Sequence, residues 1–377
     1  MGLHVIATDQ NADAPALGIA DEIEVADTRD RDAMLTIARK HRVDGVIAEQ
    51  TDVAVVTAAH IAQNLGLPGI GLHTAVAATN KFIMRERCRE AGLPMPRYIR
   101  ARSAEEAAAG AAEIGFPVVV KPLDAQASRG VAKLHSPDDV VAWFETASVF
   151  SSDHSVLVEE MMTGTESSIE AFVSNGAVTV FGICEKVKCA PPYSFDIRLL
   201  YPASFDPKVI GALVRLNERV IRAVGIEMGM THAEYIVTPA GPRLIEIAAR
   251  GCGAGVATLL IPAMTGIDAV GQRIRQSLGD AVDLTPTRSL AGLLEFLMLP
   301  EGTVLRLDGI AEVKDLAGVV DAGFFVQPGD VISAAQNGGQ RPGFLLATGR
   351  DHQELLQISR EAHARIQYDV VRPAEVA

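Results

Sequence analysis

The chain is short of cysteine. Cys88, Cys184, Cys189 and Cys252 form no CxxC and show no metal-ligand spacing, so they fit reduced thiols in a cytoplasmic protein. No HExxH occurs among the nine histidines. No apolar run of about 18 residues is present, so no membrane span is expected. The opening MGLHVIATDQ lacks the basic start and long apolar core of a signal peptide. Basic residues are in deficit, 34 Lys and Arg against 47 Asp and Glu, for a net charge of −13. A field of that sign disfavours nucleic acid and anionic membrane as partners, yet leaves room for a local positive pocket. A P-loop, GxxxxGK[ST], is also missing.

What is present is a globular composition, 48% hydrophobic and 21% charged over 377 residues. That length suits two or three domains. Strands alternate with helices at the start: Leu3–Thr8, a short strand ending at Val25, a helix over Arg31–His41, a strand over Val43–Ala48 and a helix over Ala54–Leu65. This order predicts a parallel sheet. A doubly wound unit would open with an earlier strand, a glycine turn and a helix, so this domain is read as lacking its first strand. Thr79–Ala91 is a helix whose arginines read as a solvated face, with Lys81 at its start set apart.

Ser103 and Glu106 form a capping box for a helix over Ser103–Ile114. Val118–Pro122 is an apolar strand whose one charge, Lys121, is costly to bury unless it meets an anion. The small-residue loop 123–131 follows, and Ser128, Arg129 and Gly130 there offer a hydroxyl, a guanidinium and free backbone, a reasonable phosphate grip. Val156–Met162 is a strand with an acidic end at Glu159 and Glu160; on spacing alone these could simply meet water. Asn175-Gly176 marks a hairpin. Residues 189–206 break every period and read as an irregular substrate loop. Helices are expected over Asp138–Phe150, Asp206–Val224, Thr258–Leu278 and Asp351–Ile366. Short strands are expected near 290–299, 305–310, 319–325 and 343–348.

The stretch with most chemistry is MTHAEYIVTPAGPRLIEIAARGCGAG, Met230–Gly255. It reads as two strands joined by the proline-bearing turn Thr238–Pro242, so Glu234 and Glu246 lie side by side. Two uncompensated carboxylates repel, and a hard divalent cation relieves them. Arg250 and the amides of Gly251, Gly253 and Gly255 suit a phosphoryl or carboxylate oxygen. Alone, the hairpin could equally be an exposed turn.

Lys121, the loop at 123–131, VEEMMTGTE at 158–166 and the hairpin ending EIAAR together resemble the ATP-grasp superfamily. TNKFIMRERCREAGLPMPR at 79–97 is similar to its linker helix. Ala248 in place of the common Asn, with the run over 301–350, points to the L-amino acid ligase (dipeptide synthetase)-like branch.

The resemblance implies an α/β chain, α+β in its ATP-grasp part. It implies an N-terminal parallel-sheet domain at 1–78, a linker helix at 79–96, a small subdomain at 97–160, a large one at 161–290 and a small C-terminal capping domain at 291–377. It implies ATP and Mg²⁺, with Mn²⁺ as a substitute. Lys81 and Lys121 would contact phosphates under the loop of Ser128, Arg129 and Gly130. Glu159, Glu160 and Met162 would form the adenine hinge, and Glu166 would meet ribose. Glu234 and Glu246 would hold metal, and Arg250 the transferred phosphate. His232 either lines the site or is structural.

The implied reaction is an EC 6.3-type joining of a carboxylate and an amine, both amino acids, through an acylphosphate; a homodimer is common in the family. A carboxylase, a purine-pathway enzyme and a nucleotide-binding protein without catalysis stay open as alternatives. Tyr193, Phe195, Arg198 and Tyr201 are candidate pocket residues.

Overall fold

The computed structural model describes residues 1–126, 128–190 and 194–372. Tyr193 lies outside them. None of the described helices is long and apolar enough to cross a membrane.

At the N-terminus, β1 (Ile6–Asp9) and β2 (Glu22–Val25) pair in parallel, beside α1 (Arg31–His41) and α2 (Val55–Leu65). The strand expected over 43–48 carries no ladder. Its composition suits a strand, but β1 already pairs with β2 and no described strand lies alongside 43–48. A cavity of about 410 Å³ separates them, lined by Val5, Ile6, Val43, Val46 and Ile47. The chain continues through α3 (Leu72–Thr79) into α4 (Lys81–Glu90), where the Asn80 side chain accepts from the amides of Phe82 and Ile83.

A four-stranded antiparallel sheet follows, ordered β3 (Tyr98–Ala101), β6 (Val156–Glu160), β4 (Val118–Pro122), β5 (Ala132–Leu134). Helices α5 (Ala104–Ile114) and α6 (Pro137–Ser148) cover one face, where Val118, Val120, Val156 and Val158 join Ala107, Ala111 and Phe144. Strand alternation sends Lys121 and Glu159 to the opposite face.

The larger sheet has eight strands. Its order begins β11 (Gly241–Ala248), β10 (Gly229–Thr238), β7 (Thr165–Ser174), β8 (Ala177–Lys188), β9 (Asp196–Tyr201). Helix α7 (Pro207–Val224) packs on one face, with Leu213, Leu216 and Val220 against Ile169, Ala233, Tyr235 and Leu244. The other face carries Ser168, Glu170, His232 and Glu234 beside a second apolar cluster that includes Phe172, Phe181 and Met230. The irregular loop expected over 189–206 is corrected at Asp196–Tyr201, which is an inner strand paired with β8 and with β12 (Ala291–Phe296). Its two charges, Asp196 and Arg198, hide the apolar pattern of an inner strand, and each has an ion partner on a neighbouring strand.

The single helix expected over Thr258–Leu278 is interrupted. A short π-helical turn at Val256–Leu260 runs into α8 (Ile261–Thr265), Gly266 at φ +78° ends it, and Asp268 caps α9 (Ala269–Ser277). The sheet is completed by β12 (Ala291–Phe296), β16 (Gly343–Gly349) and β14 (Val319–Phe324). Helices α10 (Ile310–Lys314) and α11 (His352–Arg365) pack there. Beside it, β13 (Gly302–Asp308) pairs with β15 (Val331–Ile332) and β17 (Gln367–Val371).

Candidate active site

The β10–β11 hairpin sets Glu234 directly opposite Glu246. A β-bulge makes this possible. Tyr235 pairs with Leu244 while Glu234 pairs with Glu246, so Ile245 is the extra residue. Without the bulge, Ile245 would oppose Glu234 and Glu246 would turn toward the core face. The bulged carbonyl is not wasted: Ile245 O accepts from Arg85 Nη2 at 2.5 Å.

Arg85 corrects the reading of α4 as a solvated face, because its side chain is wholly buried. It donates through Nε to Glu159 Oε1 at 2.6 Å, and Lys121 Nζ lies 2.6 Å from Glu159 Oε2. Burial raises the Glu159 carboxyl, but Arg85 and Lys121 outweigh that and hold it below its ordinary value. Burial and Arg85 together lower the Lys121 ammonium. One carboxylate between two cations leaves a positive surplus facing the cleft, which an anionic ligand would offset. Glu160 points the other way, about one-third exposed, toward Arg97 and Arg243.

Lys81, at the start of α4, lies 3.2 Å from Glu246 Oε2 and donates to Ala125 O at 2.7 Å. It therefore ties the metal-candidate hairpin to the loop after β4. The next side chain of that loop, Gln126, accepts from the Asp52 amide at 3.1 Å and donates to Thr51 Oγ1 at 3.1 Å. Ser128 stands at φ +59°, Arg129 is exposed, and Gly130 accepts from Trp143 Nε1. Arg129 donates through Nε to Gln126 O at 3.2 Å. Met162 follows β6 and is half-buried.

On the polar face, Glu234 pairs with Lys186 and lies 3.2 Å from His232 Nε2. Ser168 of β7 sits opposite Glu234, and its short side chain lets Lys186 reach across from β8. Lys186 also lies 3.1 Å from Asp196, and Lys188 reaches both Glu166 at 2.7 Å and Asp196 at 2.8 Å. Burial raises Glu234, but Lys186 and His232 outweigh it and leave the group well below its ordinary value. Glu246 is lowered too: burial raises it, Lys81 lowers it, and Glu234 opposes that lowering. Both carboxylates are thus held ionised and mutually repelling.

His232 is buried, with Nδ1 2.7 Å from Glu170 Oε1. Burial lowers its pKa, while Glu170 outweighs this and lifts it well above the ordinary value. Arg250 turns to the N-terminal part of the chain, donating to Asp52 at 2.7 and 3.2 Å. Nearby, the Gly251 amide donates to Glu49 at 2.9 Å, and Glu49 pairs with Arg273 at 3.3 Å.

Arg341 lies 3.4 Å over the Phe296 ring and donates to Asp196 O at 3.2 Å; burial brings its pKa down to about 10. Phe195 and Tyr201 are buried, and Arg198 pairs with Glu295 at 2.5 Å. Sequence reasoning missed Asp52, Arg85, Glu170, Lys186, Asp196 and Arg341. Only Lys186, a lysine inside the strand Val178–Val187, bore the signal that singled out Lys121.

Charged groups of the two sheets converge, Lys121 on Glu159 and Lys81 on Glu246. Residues 114–258 match the ATP-grasp domain model. A formate-dependent phosphoribosylglycinamide formyltransferase of Parasynechococcus marenigrum is 30% identical over 317 residues, covering 76% of this chain and 79% of the relative. The chain belongs to the ATP-grasp family and is an EC 6.3-type ligase.

Within that family, residues 295–371 match L-amino acid ligase C-terminal domain 2. The L-arginine-specific L-amino acid ligase of Bacillus subtilis is 22% identical over 359 residues, covering 91% of this chain and 86% of the relative. The solved L-amino acid ligase of Bacillus licheniformis superposes with a TM-score of 0.82 at 21% identity, covering 98% and 93% of the two chains. The fold class expected above is therefore that of the molecule.

Proposed function

We propose that this chain activates a carboxylate with ATP and joins it to an amine, and that both substrates are L-amino acids. The observation carrying the reading is the opposed Glu234–Glu246 pair, ionised and facing a cleft with a positive surplus at Lys121 and Arg85. The match of 295–371 to an L-amino acid ligase domain supports the substrate class.

The donor set fits a hard divalent cation, because it is all oxygen and its two carboxylates repel. Glu234 and Glu246 would hold Mg²⁺ or Mn²⁺. Such an ion supplies charge neutralisation at the nucleotide phosphates. Lys81 and Lys121 bind phosphate oxygens, and loop 123–131, with Ser128, Arg129 and Gly130, closes over them. Backbone atoms at Glu159, Glu160 and Met162 read the base, and Glu166 reads the ribose. A substrate carboxylate attacks the γ-phosphate, giving an acylphosphate and ADP. Arg250 steadies the transferred group. His232 orients Glu234 and lines the acyl site. The amine then attacks the acyl carbon and phosphate leaves; the work of the protein is positioning and charge balance.

Glu246→Ala should abolish ADP formation with the circular dichroism spectrum and melting temperature little changed. Normal turnover in that variant contradicts the metal assignment. The 30% identical formyltransferase favours a second reading, a ribonucleotide amine as acceptor. Substrate-dependent phosphate release separates the two.

A further inference from the structure

Beside the carboxylate pair lies a second donor set of different chemistry. Glu170 on β7, His232 opposite it on β10 and Cys252 in the glycine-rich loop after β11 each bring one ligand atom, all within 4.8 Å of one another. Glu170 is 2% exposed. Its Oε1 faces His232 Nδ1 at 2.7 Å and accepts from Ser168 at 3.1 Å and Tyr201 at 3.4 Å. Its Oε2 is buried with no hydrogen-bond partner among the described residues. An orphaned buried carboxylate oxygen is costly, and native folds rarely leave one.

One carboxylate oxygen, one imidazole nitrogen and one thiol do not suit Mg²⁺, which takes oxygen ligands and water. They suit a borderline or soft ion, four-coordinate, with three protein ligands and an open position for water. The cysteine is flanked by Gly251 and Gly253, so its backbone can adjust toward such an ion.

We propose that Glu170, His232 and Cys252 bind a thiophilic divalent cation of the Zn²⁺ class, at a site separate from the Glu234–Glu246 pair. On binding, the Cys252 thiol releases its proton to solvent as the metal–sulfur bond forms. The imidazole releases to solvent the Nδ1 proton it shares with Glu170 as the metal–nitrogen bond forms, with no change of oxidation state. Because His232 Nε2 lies 3.2 Å from Glu234 Oε1, the filled site would move an imidazole that abuts the ligase centre.

The probe is Co²⁺, added to the full chain with a non-thiol reductant and excess Mg²⁺ to occupy all-oxygen sites. The expected result is a thiolate-to-cobalt charge-transfer band saturating at one equivalent, displaced by Zn²⁺, lost in Cys252→Ser and kept in Cys189→Ser. Zn²⁺ should also protect Cys252 of the unmutated chain from iodoacetamide, read by peptide mass. Absence of the band, its persistence in Cys252→Ser, or unprotected alkylation overturns the proposal.

Discussion

Lys121 and Arg85 meet the same carboxylate from opposite sides, and they should fail differently when removed. Arg85→Met leaves Glu159 with one cation and strips the bulged Ile245 carbonyl of its donor. Breaking a buried pair of this kind costs about 3–5 kcal/mol, and a urea titration should show most of that loss. Lys121→Met leaves the Arg85–Glu159 pair whole. Its stability cost should be clearly the smaller, while the KM for ATP rises at least about tenfold, the loss of roughly one charged hydrogen bond. Equal destabilisation with unchanged ATP affinity would remove Lys121 from the phosphate site. The two residues also differ in legibility. A lone lysine in an apolar strand is conspicuous, whereas Arg85 shares its helix with Arg87 and Arg89, and nothing in spacing marks the buried one.

Among the elements, β11 carries one extra residue, Ile245. Deleting Ile245 removes the bulge and the carbonyl that accepts from Arg85, yet leaves Glu246 opposite Glu234 in a regular ladder. Turnover should survive at a stability cost of about 1.5–3 kcal/mol, the loss of one hydrogen bond from a charged group; a folded deletion variant without turnover contradicts the geometric account. Leu244 and Ile247, both core residues three apart, were the visible trace of that bulge, since a regular strand returns to one face every second residue.

Glu295 in β12 joins three elements, accepting from Arg198 of β9 and Ser359 of α11 and facing His363 at 3.4 Å. Burial raises its carboxyl, but His363, Arg198 and Ser359 outweigh it and bring it to about 2, against an ordinary 4.5. The unfolded chain therefore takes up this proton first. The contribution is complete above pH about 4.5 and fades as pH falls toward 2, with a ceiling of about 3 kcal/mol. Melting temperatures of Glu295→Gln and the unmutated chain should converge across that window; a constant gap would refute the assignment.

For the whole molecule, the sequence made the cleft legible through residues whose chemistry is unusual for their local setting: Lys121, Glu234 and Glu246. It left unseen the partners brought from afar. Asp52 meets Arg250 across 198 residues, and Lys186 reaches Glu234 across a neighbouring strand. Such pairings depend on sheet order, which local periodicity does not encode. The strand-like run at 43–48 failed for the same reason: its composition was right, but a ladder needs a partner.

The most direct test of the ligase reading is phosphate release from ATP and Mg²⁺ across pairs of L-amino acids, with bicarbonate and a ribonucleotide amine as rival acceptors and Glu246→Ala as blank. The account predicts release that needs two amino acids together. Release driven by a ribonucleotide amine or bicarbonate, with every amino acid pair silent, would contradict it.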